Sequence, residues 1–285
     1  MLKVPKIVGV LNITPDSFSD GGLYYDEKAA IEAAKNLILA GADIIDIGAE
    51  STRTTQRIDE VVHKEIPQRE PIQLINETTE WDRLSAPLPE IIKLAKEHNV
   101  KVSIDTRHVT TVEKIIEHNY NVDIINDVTG FTDPNMLDVV AHTNFEVIVM
   151  HNLGIPANPQ IVINENIDAV EEVKNWFVER VKLLNKSGIN NDRIILDPGI
   201  GFGKTAEQSW QLIKQIKQFA ELGNRLLVGH SRKSFFNLIT NLPSNKRDIE
   251  TYAASIFLAQ NNVDYIRVHD VEGNKRTLKT AQMLF

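Results

Sequence analysis

RIILDPGIGFGKT, residues 193–205, is an apolar run that ends in an acid, a proline and spaced glycines. Two folds compete for such a stretch. In one, the glycines cradle the phosphates of a nucleotide. That loop needs four residues between its first glycine and its Gly-Lys pair. Here Gly199 to Gly203 leaves only three, and Pro198 stands where the first glycine should be, so the nucleotide reading fails on spacing. In the other, the run is a strand buried on both faces and Asp197 marks its C-terminal tip. A carboxylate buried there is costly unless it is paired or meets a ligand's donor edge.

The same design recurs along the chain. IVGVLN (7–12), ADIIDIG (42–48), VKVSID (100–105), VDIIND (122–127), FEVIVMH (145–151), RLLVGHS (225–231) and VDYIRVHD (263–270) are all Val-, Ile- or Leu-rich and end in polar residues. Most gaps between them show apolar residues at three- and four-residue spacing, the stripe of a helix packed on a sheet. Such stripes are Ala29-Ala30, Ala33-Ala34, Leu37 and Ile38; Ile91, Ile92, Leu94 and Ala95; Val112, Ile115 and Ile116; Val170, Val173, Trp176, Phe177, Val181 and Leu184; and Leu212, Ile213, Ile216 and Phe219. Asp26 and Asp133-Pro134 read as helix starts, and Gly41, Gly188 and Gly223 as helix ends. Repeated strand–helix units with chemistry at the strands' C-terminal ends predict an α/β protein, a (β/α)₈ TIM barrel.

The 285 residues suit one such domain, 1–285. Within it, residues 54–80 form an extended region after the second strand, charged and interrupted by Pro67 and Pro71. An active-site loop and a solvated excursion are both open readings of it. A net charge of −8 argues against a broad nucleic-acid footprint. The chain has no cysteine, hence no disulfide and no thiolate metal site. No leader sequence and no apolar run of about eighteen residues is evident, so a cytoplasmic protein away from membranes is expected.

The strand tips supply the candidate chemistry. Asn12 offers a neutral oxygen, usable as a Mg²⁺ ligand or as a turn cap. Asp105, Asn126 and Asp197 could converge as a small polar ring, and Lys233 adds a donor. That set matches a pterin- or guanine-like heterocycle. A Schiff-base lysine of an aldolase is a further reading of Lys233, one that leaves the polar ring and the first loop unexplained. Arg267 and His269, two residues apart, would share a strand face and could fork around an anion such as pyrophosphate.

LNITPDSFSDGG (11–22), IGAESTR (47–53), SIDTR (103–107), IND (125–127), LDPGIGFGKT (196–205), SRKS (231–234) and RVHD (267–270) resemble, in order and over nearly the whole chain, the dihydropteroate synthase family of pterin-binding barrels. That resemblance implies condensation of 6-hydroxymethyl-7,8-dihydropterin pyrophosphate with para-aminobenzoate, loss of pyrophosphate, and a need for Mg²⁺. It implies that Asp105, Asn126, Asp197, Lys233 and Phe202 hold the pterin, with Phe202 also lining the para-aminobenzoate side. Asn12, Arg267 and His269 would hold the pyrophosphate, with Asn12 at the metal. Thr52, Arg53, Pro15, Phe18 and Ser234 would close over the para-aminobenzoate side. Asp105, Lys233, Arg267 and His269 would carry the catalysis. A homodimer through the segments around 250–262 and 272–285 and sulfonamide binding are further implications.

Two features depart from the family. Thr54-Thr55-Gln56 replaces the usual Pro-Gly after Arg53, and the following segment is longer. The expectation is altered access for the arylamine or its sulfonamide mimics. A pterin-dependent methyltransferase shares the barrel and ring of acids, but has no use for Arg53, Lys233, Arg267 and His269 together. A degenerate barrel that binds pterin without turnover is the other alternative.

Overall fold

The computed structural model describes residues 2–14, 27–50, 74–158 and 160–285. Among them are eight strands: β1 (Lys6–Asn12), β2 (Ile44–Gly48), β3 (Lys101–Asp105), β4 (Ile124–Asp127), β5 (Glu146–Met150), β6 (Ile194–Asp197), β7 (Arg225–Val228) and β8 (Tyr265–Val268). All pair in parallel in chain order, and β8 closes on β1. The helices are α1 (Glu27–Ala40), α2 (Glu77–Ser85), α3 (Leu88–Glu97), α4 (Val109–Glu117), α5 (Pro134–Ala141), α6 (Ala169–Lys186), α7 (Ala206–Lys214), the short α8 (Lys217–Ala220), α9 (Asp248–Gln260) and α10 (Val271–Leu284). The expected (β/α)₈ barrel is the observed fold. Residues 77–80, read from sequence as the end of the extended region, are the first turn of α2, capped by Asn76 accepting from Thr79 N–H.

The two-residue strand period sorts the side chains. Outward-facing Ile45, Ile47, Val102, Ile104, Val147, Val149, Ile194 and Leu196 join the core under the helices. Truncating one of them, such as Ile104→Ala, costs about 2–5 kcal/mol. Inward-facing residues fill the barrel in layers. Lys101, Glu146 and Arg225 lie at the lower end. Val8, Ile44, Ile124, Ile148, Ile195, Leu227 and Tyr265 form an apolar plug above them. Asp46, Ser103, Asn126 and Arg267, one inward step higher, are polar and linked by hydrogen bonds. The barrel is therefore solid, and chemistry can occur only at its upper mouth.

The helices follow the sequence reading, with one correction. In α6, Val170, Val173, Phe177 and Leu184 are buried, and Asp168 caps the start by accepting from Val170 and Glu171 N–H. Asp133 caps α5, with Pro134 in its first turn. Gly41, Gly188 and Gly223 end helical stretches at positive φ, while Asp26 lies outside the described residues. Ile116 does not join its stripe: it is 44% exposed, because Val112 and Ile115 already define the packed face and Ile116 lies about 100° further round. No described helix is long and apolar enough to cross a membrane.

Candidate active site

Strand register sets the site. Asn12 lies level with Gly48, Gly48 with Asp105, and Asp105 with Asn126; across the barrel, Met150 lies level with Asp197. Asp105, Asn126, Asp197 and Arg267 thereby meet at one mouth. Arg267 Nη2 donates to Asp105 Oδ2 at 2.7 Å, and its Nε donates to Asp46 Oδ2 at 2.6 Å. Burial works against the Arg267 charge, but Asp46 and Asp105 more than offset it and raise its pKa. Burial pushes Asp105 up to about 7, although Arg267 pulls it down. Asp197 is pushed up by burial too, against the opposing pull of Lys233 and the Gly199 N–H that donates to its Oδ1 at 2.8 Å.

Gly229 follows β7 at the next inward position. A Cβ there would lie 3.8 Å from Asp197 Oδ2, 3.9 Å from Arg267 Cβ and 4.0 Å from Lys233 Nζ. Its missing side chain leaves room among the three groups. Lys233 Nζ donates to Ile200 O and stands 4.6 Å from the centre of the Phe202 ring. The glycines around Phe202 are structural. Gly199 has φ +63°, and a Cβ on it would lie 2.0 Å from His151 O, so no side chain fits.

His269 sits one residue beyond β8. Its Nδ1 pairs with Ser231 Oγ at 3.0 Å, and with Asn12 it lines a cleft of about 910 Å³ shared with Asp270, Glu272 and α1. Arg267 and His269 thus have different partners. Ser234 begins the short helical turn Ser234–Leu238, whose Phe235 and Phe236 are buried against Trp210. Pro15, Phe18, Thr52 and Arg53 lie outside the described residues. Glu50, three residues before Arg53 in the sequence, is well held. Glu50 accepts from Arg107 Nε at 2.7 Å and from Ile75 N–H at 2.8 Å. Burial works against its charge, but His108 and then these contacts hold its carboxyl down to about 2.

Two buried residues beside the site escaped the sequence reading. Asp46 stands in the middle of IIDIG rather than at its tip, and is wholly buried. The available signal was its period: it lies two residues beyond inward-facing Ile44. In the sequence Lys204 stands out only as part of the rejected nucleotide loop. Its Nζ donates to Phe202 O at 2.9 Å and lies 2.9 Å from His151 Nδ1. Burial brings Lys204 down to about 7, and burial and then Lys204 bring His151 down to about 2. A neutral imidazole accepting from Lys204 holds the Phe202 turn against β5, a pairing between residues distant in sequence that no local motif reveals.

Residues 8–269 match the family of pterin binding enzymes. The chain is 35% identical over 98% of its length to a dihydropteroate synthase of Clostridium beijerinckii, covering 93% of that protein. It is 37% identical over 96% of its length to a probable bifunctional folylpolyglutamate synthase/dihydropteroate synthase of Haloferax volcanii, and spans only 30% of that longer protein. The structure of dihydropteroate synthase from Anaplasma phagocytophilum with bound 6-hydroxymethylpterin-monophosphate superposes with a TM-score of 0.83 at 39% identity, covering 99% of this chain and 100% of that one. The chain belongs to the pterin binding enzymes, in the dihydropteroate synthase family.

Proposed function

We propose that the chain condenses 6-hydroxymethyl-7,8-dihydropterin pyrophosphate with para-aminobenzoate to give 7,8-dihydropteroate and pyrophosphate. The observation that carries this reading is the barrel mouth, where Asp105, Asn126 and Asp197 face Arg267 and Lys233. A pterin is a flat ring with adjacent amino and ring N–H donors. A buried carboxylate such as Asp197, pushed up by burial, gains from accepting such a pair. Lys233, 4.6 Å from the Phe202 ring centre, supplies a cation and a flat apolar wall on the same side.

Chemistry at the exocyclic methylene needs the C–O bond to pyrophosphate to break and the arylamine nitrogen to take its place. Arg267 can share its charge with the departing anion while remaining anchored on Asp46. Asp105, beside it, is placed to stabilise positive charge growing on the pterin. The arylamine is uncharged near neutral pH and needs little base assistance. Its surplus proton can leave to solvent after bond formation.

The described residues contain no cluster of three acids or histidines that could hold a metal ion. Asn12, half-buried at the tip of β1, offers one oxygen. That suits a Mg²⁺ carried by the pyrophosphate with its own waters, for which Asn12 would be the protein ligand. Such an ion would offset charge on the leaving group. The same reading implies a cytoplasmic enzyme and a pair of copies. Exposed Ile249, Phe257, Met283 and Leu284 on α9 and α10 offer apolar surface for pairing, which sedimentation would test.

The function is tested with purified protein, both substrates and Mg²⁺, following dihydropteroate by chromatography. Product that requires Mg²⁺ and is lost in Arg267→Ala supports the reading. Tight pterin binding without product would favour a degenerate barrel or a methyltransferase relative.

A further inference from the structure

Asp46 faces inward from β2 and has no exposed surface. Three other strands, β3, β4 and β8, donate to it: Ser103 Oγ to Oδ1 at 2.6 Å, Asn126 Nδ2 to Oδ2 at 3.0 Å, and Arg267 Nε to Oδ2 at 2.6 Å. Two of these donors belong to the mouth that would meet the ligand. A carboxylate can only accept, whereas an asparagine amide can turn over and exchange its donor for its acceptor at little cost. Turning Asn126 over would set its oxygen against Asp46 Oδ2. The buried acid therefore allows one sense of the amide. It also fixes the Nε edge of Arg267, so that the Nη2 corner reaches Asp105.

We propose that Asp46 is a positioning residue for this site. Lying beneath the ligand, it sets the amide sense of Asn126 and the tilt of Arg267, and through them the donor and acceptor pattern that selects the pterin. The inference rests on the proposed function for the identity of the ligand, and assigns a role to a residue the ligand does not touch. Asp46→Asn keeps the shape but removes the charge that Arg267 Nε and Asn126 Nδ2 share at Oδ2, so both donors are held less firmly.

Calorimetry with 6-hydroxymethylpterin, which lacks phosphate, reads binding apart from turnover. Asp46→Asn is expected to weaken it about tenfold, the loss of one well-made hydrogen bond to a charged group. In steady-state assays the KM for the pterin substrate rises by a similar factor, while that for para-aminobenzoate stays within about twofold. A purely structural defect would reduce the active fraction, lowering kcat with both KM values unchanged, and that result overturns the proposal. So does a folded Asp46→Asn that binds the pterin as the parent does. If Asp46→Asn fails to fold, Ser103→Ala removes one donor from Asp46 without touching the mouth. It is expected to raise the pterin KM about threefold, and an unchanged value overturns the proposal. If the parent itself fails to bind the pterin, the proposed function fails first, a distinguishable outcome.

Discussion

The two ends of the barrel carry charge on the same strand period and use it in opposite ways. At the lower end one acid meets two bases: Glu146 pairs with Lys101 at 2.6 Å and with Arg225, which also reaches the Tyr265 hydroxyl. Although burial works against it, Glu146 is held below the usual carboxylate range. At the upper end Asp46, Asp105 and Asp197 face Arg267 and Lys233, and both Asp105 and Asp197 are pushed up. A cluster that compensates itself closes the barrel. A cluster short of donors is stabilised by a ligand that brings them, and desolvated acids at a strand-end mouth are where such a ligand gains most.

The largest expected effect comes from removing the arginine at each end. Arg267→Met strips Asp46 and Asp105 of their shared cation and is expected to lower kcat/KM by about 10²–10³. Arg225→Met leaves Glu146 with Lys101; it should cost about 1–3 kcal/mol of stability and leave kcat within about twofold. Denaturant melts and steady-state kinetics on both variants check this. Equal losses of turnover would break the comparison. Asp197→Asn comes next: its new N–H meets the ligand's donors head-on, so pterin affinity should fall about 10²-fold while thermal stability holds or rises. A loss of stability with unchanged affinity would mean that Asp197 is a structural anchor.

Most of the upper end was legible because polar residues at strand tips stand out against apolar runs, as with Asp105, Asn126 and Asp197. The barrel followed from the same contrast repeated along the chain. Asp46 was hidden because its neighbours Ile45 and Ile47 make the run look uniformly internal, and the strand's polar end was sought at its tip. The lower-end trio lies at strand starts, where charged residues look like ordinary solvated flanks. Lys204 depends on His151, which lies just past β5 and 53 residues away in sequence, and long-range pairings of that kind leave no periodic trace. The fork expected of Arg267 and His269 assumed that β8 continues, but the strand stops at Val268 and His269 turns to Ser231.

The pH dependence of stability gives a finer distinction, because the two ends carry opposite signs. Asp105 has a folded pKa raised from 3.8 to about 7. Its contribution is full below the unfolded value and is lost as pH rises toward about 7. The stability gap between parent and Asp105→Asn should therefore shrink across that window. Glu146 is shifted below its ordinary 4.5, so its contribution is present above that value and lost as pH falls beneath it. The gap between parent and Glu146→Gln should be flat near neutrality and shrink only in acid. Melting curves at several pH values on both variants decide the matter, and matching slopes would remove the electrostatic difference between the ends.

The smallest effect on the fold and the most local effect on the site should come from Gly229→Ala. The new methyl would meet Asp197 Oδ2, Arg267 Cβ and Lys233 Nζ at 3.8 to 4.0 Å, ordinary contact distances. Gly229 is not at positive φ, so alanine brings no backbone strain there. Stability should stay within about 0.5 kcal/mol of the parent. The methyl nevertheless occupies space between the acid and the two cations, where a planar ring must enter to reach Asp197. Pterin affinity should fall about three- to tenfold with no change at para-aminobenzoate. An unchanged affinity would place the ring away from this wall, and Asn126 and Asp105, rather than Asp197, would then have to provide its main recognition.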